Sequence, residues 1–189
     1  MEVLEEPQIK RHRISADELL RMSEFGVLAH DARVELIDGD VVGRATIGTK
    51  QFSTVIRLHR MLHVAVSNHA LVSVQGPLRL SAYNEPVPDL VLLKPRIDFY
   101  ESARPSAEDA LLVIEVSDSS LAIDVRIKAP LYAAYAVQDL WVVDLPSKAL
   151  RRFATAQNGL WTDMSVLPVA GVMSLPSLPG LTVDLTSIW

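Results

Sequence analysis

Apolar residues recur along this chain in two periods, and the switches between them mark out the elements. Between residues 50 and 67, Val55, Leu58, Leu62 and Val66 return at helical spacing with no Pro or Gly among them, which predicts a long amphipathic helix. Short apolar runs bounded by turn residues follow at 71–74, 78–80, 90–93 and 111–116, then at 140–143 and 150–153, and these read as strands. Ahead of the long helix, Ser15 and Glu18 have the spacing of a capping box, so a short helix is expected over 16–22. Val34-Glu35-Leu36-Ile37 and Val41-Val42 flank Asp38-Gly39, a pair that accepts the positive φ of a tight turn. A β-hairpin carrying Glu35 is the consequence.

The segment 121–136 has helical composition, with Ser119, Ser120 and Asp124 as candidate caps. Pro130 lacks a backbone N–H, so this helix is expected to begin later than Leu121 or to kink at the proline. Beyond 150–153 the chain becomes Pro-rich and reads as irregular down to Leu181-Thr182-Val183. Helices and strands alternate only in part. That pattern predicts an α/β (α+β) fold in which a mixed central sheet is flanked by helices, preceded by an N-terminal helix and a β-hairpin.

Length changes this picture little: 189 residues suit one domain spanning 1–189, with 1–13 as a flexible N-terminal segment. The balance of 49% hydrophobic and 22% charged residues is that of an ordinary globular chain. Having no cysteine, the chain excludes disulfides, thiolate metal sites and thiol nucleophiles. The opening MEVLEEPQIKRHR has no apolar core of a signal peptide, and no apolar run approaches membrane-spanning length. A cytoplasmic protein without a membrane partner is expected. A formal charge of −5 argues against binding a polyanion through bulk charge, which leaves local groups to form any positive face: Lys10-Arg11-His12-Arg13, Arg57 with Arg60, and Arg151-Arg152.

The chemistry concentrates in two strands. In LLVIEVSDSS, Glu115 is the one charge among five apolar neighbours, and a buried carboxylate has to be neutralised, paired or bound to a metal. Pro88-Asp89-Leu90-Val91-Leu92-Leu93 repeats the pattern with an Asp at the head of an apolar strand. Side by side, such strands would present two carboxylates to one hard cation such as Mg²⁺, which accepts one or two protein carboxylates and keeps several waters. Asp144 in WVVDL looks similar, but at a strand end it reads as a turn or cap residue. His59 and His63 share a helix face, yet Arg60-Met61-Leu62 lies where a zinc-protease motif needs its Glu, so they read as surface or interface histidines. No glycine-rich phosphate loop and no G-x-S-x-G elbow is present.

Taken in order, ELIDG, a long helix, PDLVLL, LLVIEVSDSSLAIDVRIKAPLYA, LWVVDL and a closing LPGLTV resemble the Uma-type restriction endonuclease family of the PD-(D/E)XK nuclease superfamily, over nearly the whole chain from Ser15 to Trp189. The resemblance implies a restriction-endonuclease-like core in which Asp89 is the Asp of the PD motif and Glu115 the second acid, both binding Mg²⁺ or Mn²⁺. It implies a metal-dependent endonuclease that hydrolyses DNA phosphodiester bonds, with double-stranded DNA as partner and a homodimer as the natural form for cutting a duplex. The core motif places Lys two residues after its second acid, where this chain has Ser117; the family pattern implies Lys128 instead, and adds Glu35 to the site. If a helix starts just after Ser120 and folds back along its strand, Lys128 rises about 12 Å while Glu115 lies about 15 Å back along the strand. The two side chains then meet at similar heights. Gln51 stands where the family commonly has His, and Gln75 is a polar strand residue that faces either the site or the surface. Ser117, Gln51 and the acidic balance also motivate an alternative, a catalytically degenerate nuclease fold that binds DNA or protein.

Overall fold

The computed structural model describes residues 12–29, 31–168 and 171–189. Lys10, Arg11 and most of the expected flexible segment lie outside the described residues, whereas Arg13 donates to the Asp38 carboxylate at 2.5 Å. Helix α1 (Ala16–Glu24) starts as expected, with the Ser15 and Glu18 side chains each accepting from the other's backbone N–H. The hairpin follows as β1 (Val34–Ile37) and β2 (Asp40–Gly43). Its turn residues Asp38 and Gly39 have φ of 53° and 82°, the left-handed conformations a two-residue turn requires. A Cβ at Gly39 would also lie 2.6 Å from Arg13 Cβ, so only glycine fits.

Helix α2 (Thr49–Val66) lies on one face of a six-stranded sheet ordered β3-β4-β5-β6-β7-β8. These strands are β3 (Leu71–Val74), β4 (Leu90–Leu93), β5 (Ala110–Ser117), β6 (Asp139–Asp144), β7 (Ala149–Gln157) and β8 (Leu160–Pro168). Only β5 and β6 run parallel; the other neighbours are antiparallel. A separate pair, β9 (Val172–Ser174) and β10 (Thr182–Asp184), completes the strands, and among the described residues no helix is long and apolar enough to cross a membrane. The α2 stripe Val55, Leu58, Leu62 and Val66 is buried against Leu90, Leu92, Leu112, Ile114 and Val116. Each such side chain contributes about 1.5–3 kcal/mol through burial. On the opposite face Val91, Leu93 and Val113 pack under Ala129 and Tyr132. The result is a three-layer mixed α/β domain with two cores separated by the sheet.

Three segments differ from the sequence expectation. Residues 78–80 form no strand, because their amides bond to three different places, Pro86, Pro105 and Asn84, and no continuous ladder results. The C-terminal stretch is not irregular: it holds β8, β9 and β10. Strand β8 leaves little trace in the sequence because it is an edge strand with Leu160, Thr162, Met164 and Val166 all exposed, so no apolar run marks it. The third is the segment around Pro130. It begins at Leu121 and is neither delayed nor broken; α3 (Leu121–Ile123) passes into a π-helical segment (Asp124–Lys128) and then α4 (Ala129–Ala134). The Ala129 N–H donates to Asp124 O, a five-residue step that widens the helix just before the proline ring would meet the preceding turn.

Candidate active site

Strands β4 and β5 are antiparallel with Leu90 opposite Ile114, so the next rung sets Asp89 across from Glu115. Strand alternation puts both on the face covered by the π segment and α4, the face that also receives Val91 and Val113. Asp89 is fully enclosed by donors: the Val116 N–H at 2.9 Å, Gln51 Nε2 at 3.2 Å and Gln75 Nε2 at 3.2 Å. An Arg44 guanidinium nitrogen stands further off, at 3.8 Å. Glu115 Oε1 accepts from Tyr132 Oη at 2.7 Å and from Lys128 Nζ at 3.3 Å. Its other oxygen accepts no hydrogen bond among the described residues.

Lys128 is the hub. Its ammonium lies 3.0 Å from Glu35, 3.3 Å from Glu115 and 3.9 Å from Asp124. Glu35 also accepts from the Val87 N–H at 3.1 Å, and Asp124 accepts from the Ser117 and Ser120 hydroxyls at 2.7 and 2.6 Å. Glu35, Asp89, Glu115, Asp124 and Lys128 are all buried. Together with Arg33, Arg44 and Gln51 they line a cavity of about 70 Å³, room for a cation and a few waters.

Burial sets the protonation states. Desolvation pushes the Glu115 carboxyl up to about 8 despite the attraction of Lys128, with Asp124 and Asp89 adding repulsion. Asp124 is likewise raised by burial, against the hydrogen bonds of Ser120 and Ser117. Burial alone would lower Lys128, but the combined pull of Glu115, Glu35 and Asp124 raises it above the usual lysine range. Tyr132 is raised well above its ordinary value, by burial and then by Glu115. The carboxylates around Lys128 thus favour its ammonium form, and that cation is placed to orient and stabilise negative charge.

Asp89, Glu115, Lys128 and Glu35, the four residues expected from the sequence, thus converge in one cavity. Ser117, standing where the motif's lysine would be, points at Asp124 instead. Gln75 faces the site and not the surface, and Gln51 holds Asp89. Asp144 is a turn residue: its carboxylate accepts from the Ser147 N–H and pairs with Arg151 at 3.0 Å. His59 and His63 are exposed on α2, ring against ring at 6.1 Å. The remaining basic groups are placed away from the cavity lining: Arg151 and Arg152 pair with carboxylates, and Arg57 donates to the Trp189 carbonyl.

Asp124, Tyr132, Arg33 and Arg44 were not singled out as site residues by sequence reasoning. Asp124, Lys128 and Tyr132 are spaced four apart, a stripe that would have announced one helix face had it been traced from Lys128. Among the described residues no group of three or more acidic or histidine side chains gathers as a metal cage. The ammonium of Lys128 occupies the centre that Glu35, Glu115 and Asp124 would otherwise share. What remains for a cation is the facing pair Asp89 and Glu115, a donor set that suits a largely hydrated Mg²⁺ better than an all-protein cage.

A family model matches residues 16–186 under the description "Putative restriction endonuclease", the Uma2 family. The chain belongs to the Uma2 family. That membership supports a nuclease-like, hydrolytic function acting on nucleic acid. Among solved structures, the chain resembles a protein from Anabaena variabilis described as "a putative nuclease belonging to DUF820", with a TM-score of 0.68 at 15% identity, covering 93% of this chain and 97% of that one. The likeness establishes a shared fold for this Uma2 member. No curated protein matches the chain in sequence.

Proposed function

We propose that this Uma2 protein is a metal-dependent endonuclease that hydrolyses DNA phosphodiester bonds, with Asp89 and Glu115 as ligands of Mg²⁺ or Mn²⁺. The observation that carries the reading is Lys128 reaching Glu115 at 3.3 Å from the neighbouring helix, which supplies the cation that Ser117 cannot. Four carboxylates and three cations line the cavity, so once Glu115 gives up its proton the lining carries an excess negative charge that a divalent ion would reverse. When bound, that ion would activate water and polarise the phosphate.

The chain's own groups divide the remaining work. Tyr132 and Lys128 hold Glu115 by one oxygen, which leaves the other without a hydrogen bond among the described residues and able to hold the ion. Lys128, kept protonated, stabilises the charge that develops on the phosphate oxygens, and Glu35 fixes its ammonium at 3.0 Å. Gln51, Gln75 and the Val116 amide orient Asp89. A double-stranded substrate and a two-fold dimer belong to the same proposal, since two sites related by a dyad would address both strands. Cleavage of plasmid DNA with and without Mg²⁺ or Mn²⁺ tests it: the wild type should cut only with metal, and equal cutting by Glu115→Ala would sink the assignment.

One observation favours a second reading, a nuclease fold that binds without cleaving. Both Asp89 oxygens already accept hydrogen bonds, one of them from Gln51 where the family resemblance leads one to expect His. Calorimetric titration with Mn²⁺ separates the two. Heat that saturates in the wild type and vanishes in Asp89→Asn supports the nuclease, and no heat in either supports the binding module.

A further inference from the structure

The hairpin delivers more than Glu35. Val34 pairs with Gly43, and the Arg44 N–H donates to Arg33 O at 2.8 Å, so Arg33 and Arg44 form the next rung at its open end. Arg33 is two residues from Glu35 on β1 and therefore on the same face, and all three line the acid cavity. Arg33 makes no ion pair or side-chain hydrogen bond among the described residues, and Arg44 makes one long contact, 3.8 Å to Asp89. Two guanidiniums with nearly all their N–H groups uncommitted thus stand at a cavity whose third cation, Lys128, is surrounded by three acids.

Guanidiniums that are partly exposed and largely unpaired within the chain are open to an anion from outside it. We infer that Arg33 and Arg44 form a clamp for a nucleic-acid phosphodiester, gripping one backbone phosphate against the acid cavity. The inference rests on the nucleic-acid substrate of the proposed function but not on its chemistry. Charge permits it without a metal: with Glu115 replaced by Gln, as in the test below, the three carboxylates left in the lining are matched by its three cations, so no excess negative charge repels a phosphate. Guanidinium matches the phosphate in geometry as well, since its planar fork donates to two oxygens at once. On a chain of net charge −5, such a local clamp is what lets a polyanion approach this face.

The test uses the full chain carrying Glu115→Gln, in EDTA, so that no cleavage intrudes, and follows the anisotropy of a short fluorescein-labelled DNA duplex across a range of salt concentrations. Adding Arg33→Ala or Arg44→Ala should weaken binding equally for unrelated duplex sequences and lower the magnitude of the salt slope by about 1 each. Lys at either position keeps the charge and loses the fork, so it should restore the slope and only part of the affinity; these variants also report on folding, by circular dichroism. Arg21→Ala, an equal loss of charge on exposed α1, should leave both quantities unchanged. The clamp is overturned if Arg33→Ala and Arg44→Ala bind like their parent, if Arg21→Ala weakens binding as much, or if the parent does not bind duplex at all. A wild type that binds through Arg33 and Arg44 yet leaves plasmid DNA uncut in Mg²⁺ upholds the clamp while refuting the proposed hydrolysis.

Discussion

Replacing Glu115 with Gln should make the metal-free protein more stable at neutral pH, although it removes a side chain from the centre of the site. Burial raises this carboxyl from 4.5 to about 8, so between those values the folded chain keeps a proton that the unfolded chain has released. The contribution of this group to stability is complete below pH 4.5, declines as pH rises and levels off above about 8. At about 1.4 kcal/mol per pH unit, the ionised unfolded state gains about 3 kcal/mol by pH 7 as an upper bound. Glutamine presents the same outline as the protonated acid and can still accept from Tyr132 and Lys128, and it has no proton to lose. Urea unfolding in EDTA at pH 5, 6, 7 and 8 should show the variant close to wild type at pH 5 and ahead by up to about 3 kcal/mol at pH 7. Stability curves that run parallel across this range, or a variant weaker at pH 7, would refute the reasoning.

Other outcomes follow from the same geometry. Lys128→Met strips three buried acids of their shared cation and should cost about 3–5 kcal/mol in urea unfolding at pH 7, with metal-dependent cleavage lost as well; a stable, active variant would contradict its place as hub. Because the Glu115 proton must leave before a cation can bind, calorimetric Mn²⁺ affinity should rise nearly tenfold per pH unit up to about 8, and an affinity flat in pH would contradict this. Leu62→Ala, on the fully buried sheet-facing side of α2, should lower the unfolding free energy by about 2–5 kcal/mol with an unchanged denaturant slope; a loss under 1 kcal/mol would mean that face is loosely packed.

The elements that showed in the sequence were those whose signal is local. Asp38-Gly39 located the hairpin, the α2 stripe its helix, and continuous apolar runs the strands β4, β5 and β6, buried on both faces. The edge strand β8 and the three-residue strands β9 and β10 were hidden, because half-exposed pairing leaves neither an apolar run nor room for a period. Pro130 marks a local conflict in the sequence, but its resolution by a π-helical widening depends on the neighbouring turn and not on composition.

For the site, the cost of burying Glu115 was legible from its neighbours and Asp89 showed as an acid at the head of an apolar strand, though it depends more on the family pattern, while Glu35 and Lys128 needed that pattern. Their convergence is a matter of register, strand β4 against β5 and helix against strand. Arg33 and Arg44 were within reach of sequence reasoning, since a two-residue turn at Asp38-Gly39 fixes them as cross-strand partners. Asp124 has the sequence signature of a helix cap, which hides its place beside Lys128.

The hairpin that carries Glu35 is not part of the central sheet. Its apolar contacts are to α1, through the small cluster of Ala16, Leu19 and Leu36, and its link to the rest runs through backbone bonds such as Leu36 with Glu85 and Gly39 with Tyr83 and through a few polar contacts, chiefly Glu35 with Lys128 and the Val87 N–H. We expect the hairpin and α1 to open as a smaller cooperative unit than the central sheet, which divides the cavity between two units of unequal size. Local opening of the smaller one would carry Glu35, Arg33 and Arg44 away from Lys128 and Asp89 while the two large cores stay closed. In native-state hydrogen exchange the amides of Leu36 and Glu85 should exchange ahead of those in β5. The free energy that keeps this site assembled is then that of the small hairpin unit, and substitutions at Leu19 or Leu36 would empty the site long before they melted the protein.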